Sequence, residues 1–267
     1  MKININIIGD KCGTFEFDWY EWFVGYTDGD GCFNIYTNLE SKKITLTFKI
    51  SQKSNNEQVL HHMKKELGVG SIRTDKSGMS HFLVRDQIAL KNVILPLFDK
   101  YELQTNKRNS YDRFKKCFLI WTNSSKTQLD KILEIRNTGL TTHKNVGPIL
   151  SKSWIIGFIE AEGSFYLTQK DTNRFVHSFG ISQKLDKPVL EEIKKILKLK
   201  EPVRWNRKGF WRLDTSNGED VKLVKDYFFK TMKSRKSLIY RIWARSFRHK
   251  NHSLELLEIR EKLRRLY

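Results

Sequence analysis

Two acidic side chains with matching surroundings carry the strongest chemical signal in this sequence. Asp30 and Glu162 each follow an apolar run with a central glycine, in the order acid, small residue, acid, glycine. The separation between the central glycines, Gly25 and Gly157, equals the separation between these acids. A chain that makes one carboxylate site twice is predicted to place the two sites about a pseudo-two-fold axis.

Both acidic segments have the pattern of a helix with small residues four positions apart. Gly25 and Gly29 share one helix face, and Gly157 and Ala161 do the same. Small residues at this spacing let two helix backbones approach closely. The pattern therefore predicts that the two segments pack together and bring their acidic ends close to each other.

Such a pair of acids is unfavourable without a cation. Asp30 and Glu162 would repel each other, and the C-terminal end of a helix disfavours negative charge. Carboxylate oxygens suit Mg²⁺ or Mn²⁺, whose remaining positions water and phosphate can fill. This site could polarise a phosphodiester and activate water for in-line attack. A capping or salt-bridging role explains one such acid more easily than two.

The composition indicates a polyanionic partner. The 267 residues include 49 Lys and Arg against 30 Asp and Glu, which gives a net charge of +19. Three cysteines without metal-ligand spacing fit a reducing compartment. We expect no membrane-spanning helix, because no apolar run is long enough, and residues 1–13 do not resemble a signal or transit peptide.

The order of predicted elements is the same in both halves. Helical periodicity covers 19–29, 55–67, 87–99 and 106–120, and then 152–162, 187–199, 219–230 and 235–247. Alternating patterns predict strands over 32–38, 43–52, 71–75 and 80–85, and then over 164–170, 175–184, 202–206 and 210–215. We predict an α+β fold of two αββαββα repeats, residues 1–121 and 151–267. A linker, 122–150, would contain a short amphipathic helix over 126–136.

The predicted strands have one apolar and one polar face. Within 44–51, Leu46 and Phe48 share one face with other apolar residues, whereas Lys49 and Ser51 lie on the opposite face. This alternation is typical of an antiparallel sheet buried on one side. A polar, basic sheet face suits the major groove of DNA, and the alternative is a plain solvated face.

The segments Phe23 to Gly31 and Ile155 to Gly163 resemble the paired signature of the LAGLIDADG homing endonucleases of the single-chain, two-motif type. The resemblance covers nearly the whole chain, since the later strands and helices follow the family order. It implies a monomer in which two antiparallel sheets form a saddle over duplex DNA, with the motif helices packed at the central interface.

The same resemblance implies a site-specific endonuclease. Both DNA strands would be cut across the minor groove to leave 3′ overhangs, with Mg²⁺ as cofactor. Mn²⁺ would be a substitute, and Ca²⁺ would bind without supporting efficient cleavage. Because Asp30 and Glu162 differ by one methylene, the two strands are expected to be cut at different rates.

Site residues are implied by their position in the family pattern. The metal-site residues would be Asp30, Glu162, Gly29 and Ala161. Gln52 and Gln183 would organise active-site water, whereas Lys107 and Lys236 would approach the scissile phosphate or the nucleophilic water. Asp28 and Glu160 match the earlier acid of each motif and are expected to be structural.

The outward strand residues are the candidate DNA contacts. They are Asn34, Tyr36, Asn38, Lys49, Ser51, Arg73 and Asp75 in the first half, and Tyr166, Thr168, Lys170, Ser178, Ser182, Arg204 and Asn206 in the second half. If each half follows about one turn of DNA, the target spans on the order of 20 base pairs. The two sets differ at most positions, which predicts a poorly palindromic target.

Two alternatives share the same fold. An RNA maturase, which assists splicing of its host intron and can be bifunctional, would bind intron RNA. A non-catalytic DNA-binding regulator would not need the acids, and neither acid is replaced. Family habit implies an organellar protein, mitochondrial rather than chloroplast, encoded within an intron and therefore without an import signal.

Overall fold

The first half of the chain forms a four-stranded antiparallel sheet with helices. The computed structural model describes residues 15–140, 147–249 and 253–267. In the first half it contains α1 (Trp19–Asp30), β1 (Gly31–Asn38), β2 (Lys43–Lys53), α2 (Glu57–Leu67), β3 (Ser71–Thr74), β4 (Met79–Val84), α3 (Gln87–Ala89), a π-helical turn (Leu90–Ile94), α4 (Leu95–Lys100), α5 (Lys107–Thr122) and α6 (Gln128–Asn137). The described strands pair in the order β1-β2-β4-β3.

The second half repeats this architecture. It contains α7 (Lys152–Glu162), β5 (Ser164–Asp171), β6 (Arg174–Gln183), α8 (Lys187–Ile196), β7 (Arg204–Asn206), β8 (Phe210–Thr215), α9 (Gly218–Tyr227), α10 (Lys236–Arg245) and α11 (Ser253–Leu266). Its described strands pair in the order β5-β6-β8-β7, the same order as in the first sheet. The predicted α+β fold of two pseudo-symmetric repeats is confirmed.

Each sheet buries one face in an aromatic core. Phe33 pairs with Phe48 across β1 and β2, and both side chains lie against Phe98 of α4. In the second half, Phe165 pairs with Phe179 and contacts Trp243 of α10. Large buried rings supply much of the hydrophobic stabilisation of each half. In the first half this core also reaches central helix α1, because Phe23 contacts Phe48.

The structure shows three features beyond the predicted elements: a π-helical turn, the packing of the predicted linker helix, and an additional helix near residue 260. The helix predicted over 87–99 contains the π-helical turn, in which the backbone hydrogen bonds span five residues. Helix α6, within the predicted linker, packs on β1, β2 and α5 and buries Ile132 and Ile135. Helix α11, which was not predicted, buries Leu256 and Leu263 against α10 and the second sheet.

Helices α1 and α7 pack directly against each other at the centre of the molecule. A Cβ atom placed at Gly25 would lie 2.1 Å from the carbonyl oxygen of Trp154, and one at Gly157 would lie 2.0 Å from that of Trp22. Only glycine allows so close a backbone approach. The predicted packing of the motif helices is confirmed. None of the helices in the described part of the chain is long and apolar enough to cross a membrane.

Candidate metal and nucleic-acid site

The two motif acids lie at the adjoining C-terminal ends of α1 and α7. Asp30 accepts a hydrogen bond from Gln52 Nε2 on Oδ2 at 2.5 Å, and Glu162 is hydrogen-bonded to Gln183. Burial raises the pKa of both carboxyl groups, and the charge of Asp30 raises that of Glu162 further. The predicted acids and glutamines are therefore brought together, in one arrangement per half.

Two lysines point toward these carboxylates from the starts of α5 and α10. Lys107 Nζ donates to the carbonyl oxygen of Gly29 at 2.7 Å, and Lys236 Nζ donates to that of Gly163 at 2.7 Å. Burial lowers the pKa of both ammonium groups, to about 8 for Lys236, and the nearby acids oppose the shift. The lysines contact carbonyls at non-equivalent positions, so the two halves of the site differ in detail.

Asp28 and Glu160 act across the central interface. Asp28 Oδ2 accepts from Trp154 Nε1 at 2.9 Å, and Glu160 Oε2 accepts from Trp22 Nε1 at 2.8 Å. Burial raises the pKa of Asp28 to about 6 and that of Glu160 to about 7, although these hydrogen bonds oppose the shift. Their exchanged contacts tie α1 to α7, which fits the expected structural role.

The same two acids also hold the loops that precede the lysines. Asp28 accepts from the backbone amides of Gln104 at 2.8 Å and Thr105 at 3.2 Å. Glu160 accepts from the backbone amide of Ser234 at 2.9 Å and from that of Lys233. One buried carboxylate per half therefore fixes both the helix pair and the approach of a lysine.

The donor set suits a hard divalent cation. Asp30 and Glu162 offer carboxylate oxygens, and Gly29 and Ala161 can offer only backbone carbonyl oxygens. A Cβ at Gly29 would lie 2.4 Å from the Ala161 Cβ, so these positions meet at the interface. Two partly buried acids that repel each other are stabilised by a cation. The described residues contain no cluster of three or more His, Cys, Asp or Glu side chains that could hold a metal ion.

The first sheet presents most of its predicted contacts on the face opposite the core. Asn34, Tyr36, Lys49 and Ser51 lie on this face, and β3 adds Arg73 opposite His81. Tyr36 is 49% exposed. These side chains form a polar surface continuous across all four strands of the first sheet.

Two predicted contacts in this half also have local structural roles. Asn38 Oδ1 accepts from the amide of Ser41 in the β1–β2 turn at 2.8 Å. Asp75 lies just beyond β3, where its Oδ1 accepts from Ser77 and its Oδ2 contacts His81 Nε2 at 3.0 Å. These hydrogen bonds lower the pKa of Asp75. Asp75 therefore supports the β3–β4 turn as well as bordering the polar face.

The second sheet presents Tyr166, Thr168, Ser182 and Arg204 on its polar face. Lys170 is exposed at an irregularity near the end of β5, and Asn206 Oδ1 accepts from the amide of Lys208 in the β7–β8 turn.

Ser178 requires a correction. It has the expected strand parity, but it is fully buried, and its hydroxyl is hydrogen-bonded to those of Thr168 and Ser216. Its neighbours cover it, so Ser178 stabilises the sheet and is not a surface contact.

Two further residues lie beside Glu162 but were missed from the sequence. A cavity of about 290 Å³ is lined by Glu162, Tyr166, Arg212 and Tyr267 with other residues. Arg212 of β8 lies opposite Ser182 of β6, and Arg212 Nη2 donates to the Tyr166 hydroxyl at 3.3 Å. The alternation of residues along β8 places Arg212 on the outward face, so the sequence pattern was sufficient to predict it as a site residue. Tyr267, whose hydroxyl accepts from the Phe165 amide at 2.8 Å, gives no sequence signal because it follows an unpredicted helix.

The known proteins that this chain resembles include endonucleases. The profile of the LAGLIDADG endonuclease family matches residues 23–118 and 155–247. The chain is 36% identical over 269 residues to a probable intron-encoded endonuclease, Cox1-I1b, of Schizosaccharomyces pombe, covering 94% of this chain and 70% of the relative.

More distant relatives are longer than this chain. Probable intron-encoded endonuclease 4 of Neurospora crassa is 28% identical over 86% of this chain and 40% of its own length. The uncharacterised mitochondrial protein RF1 of Saccharomyces cerevisiae is 31% identical over 62% of this chain and 35% of its own length. The chain thus matches less than half the length of these two relatives.

Solved structures share the fold. The LAGLIDADG meganuclease I-CpaMI bound to uncleaved DNA has a TM-score of 0.81 and 22% identity, covering 93% of this chain and 99% of that one. The homing endonuclease I-GzeII in complex with its DNA target has a TM-score of 0.77 and 24% identity, covering 92% and 98%. I-SmaMI bound to its uncleaved DNA target with calcium ions has a TM-score of 0.76 and 21% identity, covering 91% and 97%.

Proposed function

The chain belongs to the LAGLIDADG endonuclease family, and on that basis we propose that it is a homing endonuclease that cuts a long, asymmetric duplex target. The observation that carries this proposal is the reciprocal packing of α1 and α7, which places Asp30 and Glu162 at adjoining helix ends. The reaction is metal-dependent hydrolysis of one phosphodiester on each strand, across the minor groove, leaving 3′ overhangs.

The residues of the site have distinct proposed roles. Asp30 and Glu162 would hold Mg²⁺ through their carboxylates, with the Gly29 and Ala161 backbone beside them. A bound ion would supply neutralisation of phosphate charge and a lower pKa for attacking water. Gln52 and Gln183 orient the carboxylates and neighbouring water through their amides.

Lys107 and Lys236 supply positive charge at the candidate cleavage centre. Their ammonium groups are held by the carbonyl contacts already described and interact with the acids of both halves. We propose that each lysine stabilises charge that develops on the phosphate or attacking water. Mn²⁺ would replace Mg²⁺, whereas Ca²⁺ would occupy the site without efficient cleavage. One structural relative, I-SmaMI, has been solved with uncleaved DNA and calcium.

The polar faces of the two sheets are the proposed DNA contacts. Equivalent positions carry different side chains: Asn34 and Tyr36 in the first half correspond to Tyr166 and Thr168 in the second half. Different donors and acceptors read different base edges, so the two half-sites should differ in sequence. The net charge of +19 supports strong phosphate attraction along a target of about 20 base pairs.

We propose a mitochondrial location for the protein and keep RNA binding as the alternative function. A mitochondrial location is supported by similarity to a yeast protein named as mitochondrial. The pair of acids favours cleavage over RNA binding, because RNA binding does not need two carboxylates at one centre. Maturase activity is therefore an outcome to be distinguished by experiment.

The proposed function is tested by selection from a randomised duplex-DNA library. The wild-type protein with Mg²⁺ should cut a small set of related duplexes on both strands, and sequencing of the ends would give the target and the overhang. Addition of EDTA should abolish cutting. Binding of structured intron RNA without any duplex cleavage would favour the maturase instead.

The two strands of the recovered target should be cut at different rates. Asp30 and Glu162 differ in length, and Lys107 and Lys236 contact carbonyl oxygens at different motif positions. Time courses on duplexes labelled at either 5′ end would measure each strand separately. A nicked intermediate with the same strand always cut first is expected. Equal single-strand rates would contradict this asymmetry.

A further inference from the structure

Each half of the molecule holds the start of the lysine-bearing helix in the opposite half. Asn56 Oδ1, from the first half, accepts from the backbone amide of Arg235 at 2.9 Å, just before α10. Asp186 Oδ1, from the second half, accepts from the backbone amide of Asn106 at 2.6 Å and from its Nδ2 at 2.9 Å, just before α5. The two contacts are related by the pseudo-two-fold axis.

These acceptors satisfy backbone amides at the starts of α5 and α10. The first amides of a helix have no partner within it, and a side-chain cap usually satisfies one of them. Neither Asn106 nor Arg235 caps its own helix with its side chain. The opposite half therefore supplies the acceptor at the residue immediately before Lys107 and Lys236.

On the assumption that the chain is the proposed endonuclease, we propose that Asn56 and Asp186 are positioning residues for DNA cleavage. Asn56 sets the position of Lys236, and Asp186 sets the position of Lys107. Neither would contact the reacting phosphate directly: Asp186 would act through Lys107, and Asn56 chiefly through Lys236. The reciprocal arrangement makes the geometry of each lysine depend on correct docking of the two halves.

Asn56 also connects its contact to the carboxylate site. Asn56 Nδ2 donates to Gln52 Oε1 at 2.8 Å, and Gln52 Nε2 donates to Asp30 Oδ2. A continuous series of hydrogen bonds therefore runs from Asp30 to the amide of Arg235. Asp186, a carboxylate, has no hydrogen to donate in this way, so the two contacts are equivalent in position but not in chemistry.

Loss of either contact should alter cleavage without unfolding the protein. Asp28 and Glu160 still hold the loops before the lysines through backbone amides. A small displacement of a catalytic group can nevertheless slow a reaction by roughly ten- to a hundredfold. The affected step should be the cut that depends on the displaced lysine.

Strand-resolved cleavage of the selected target tests this proposal. Asn56→Ala should slow one strand about tenfold or more, and Asp186→Ala should slow the opposite strand by a similar factor. DNA affinity and melting temperature should remain close to wild type. Asp186→Asn should retain the wild-type pattern, because an amide oxygen can accept from the Asn106 amide as Asn56 does from Arg235. Glu191→Ala, on the exposed surface of α8, is the matched control.

Equal slowing of both strands by each alanine variant, or no slowing by either, would overturn the proposal. If the wild-type protein cuts no duplex, the proposed function fails, and amide hydrogen exchange tests the contacts directly. Faster exchange at Arg235 in Asn56→Ala and at Asn106 in Asp186→Ala would support them. Unchanged exchange at both amides would exclude the positioning role.

Discussion

Replacing Asp30 by Asn is expected to reduce double-strand cleavage by roughly a hundred- to a thousandfold or more, because the site loses a carboxylate charge that would hold Mg²⁺ beside the reacting phosphate. Glu162→Gln should have a comparable effect. Both amides keep the size of the side chain and an oxygen that can accept from Gln52 or Gln183. The fold and the affinity for DNA should therefore survive.

Stability provides an independent check on this prediction. Burial raises the pKa of both acids, so each charged carboxylate is unfavourable in the metal-free protein. Asp30→Asn should leave the free energy of unfolding unchanged or increase it in EDTA. Denaturant unfolding measures this, with Glu258→Gln on the exposed surface of α11 as the control. Wild-type cleavage rates in Asp30→Asn would contradict its assignment as a metal ligand.

Replacing Gly157 by Ala is expected to have the largest effect on folding. The new Cβ would lie 2.0 Å from the carbonyl oxygen of Trp22, which belongs to helix backbone and cannot rotate away. Helices α1 and α7 would have to separate, which should cost about 3 kcal/mol or more. The exchanged contacts of Asp28 and Glu160 would weaken with them, so cleavage should fall as well.

Gly139→Ala is the matched control for this substitution. A Cβ at Gly139 meets no other atom within 4 Å, so its effect on unfolding should stay within about 0.5 kcal/mol. Urea denaturation of both variants would compare them directly. If Gly157→Ala unfolds at the wild-type urea concentration, the close approach of the two helices is wrong.

The sequence predicted the repeated architecture because several independent patterns agree. Glycine spacing located the α1–α7 contact, and alternation located the sheet faces in both halves. Alternation gives the face of a residue but not its exposure. Ser178 therefore has the correct parity but is covered by Thr168 and Ser216.

Contacts between the halves were the hardest to predict. Trp22 and Trp154 occur at equivalent motif positions, yet only the packed helices show that each donates to the acid of the other. Asn56 and Asp186 follow the two glutamines, but their partners lie far away in sequence. Periodicity describes one element at a time, whereas these contacts depend on how two complete domains dock.

In the proposed function, Asp30 and Glu162 form one metal-dependent centre for cutting DNA. The most direct test is metal add-back on the selected duplex, after the wild-type protein and Asp30→Asn have been stripped with EDTA. Both strands should be cut by the wild type only after Mg²⁺ is restored, and Asp30→Asn should bind the duplex without producing a double-strand break. Cutting that persists in EDTA, or Mg²⁺-dependent cutting by Asp30→Asn at the wild-type rate, would show that the two acids do not form such a centre.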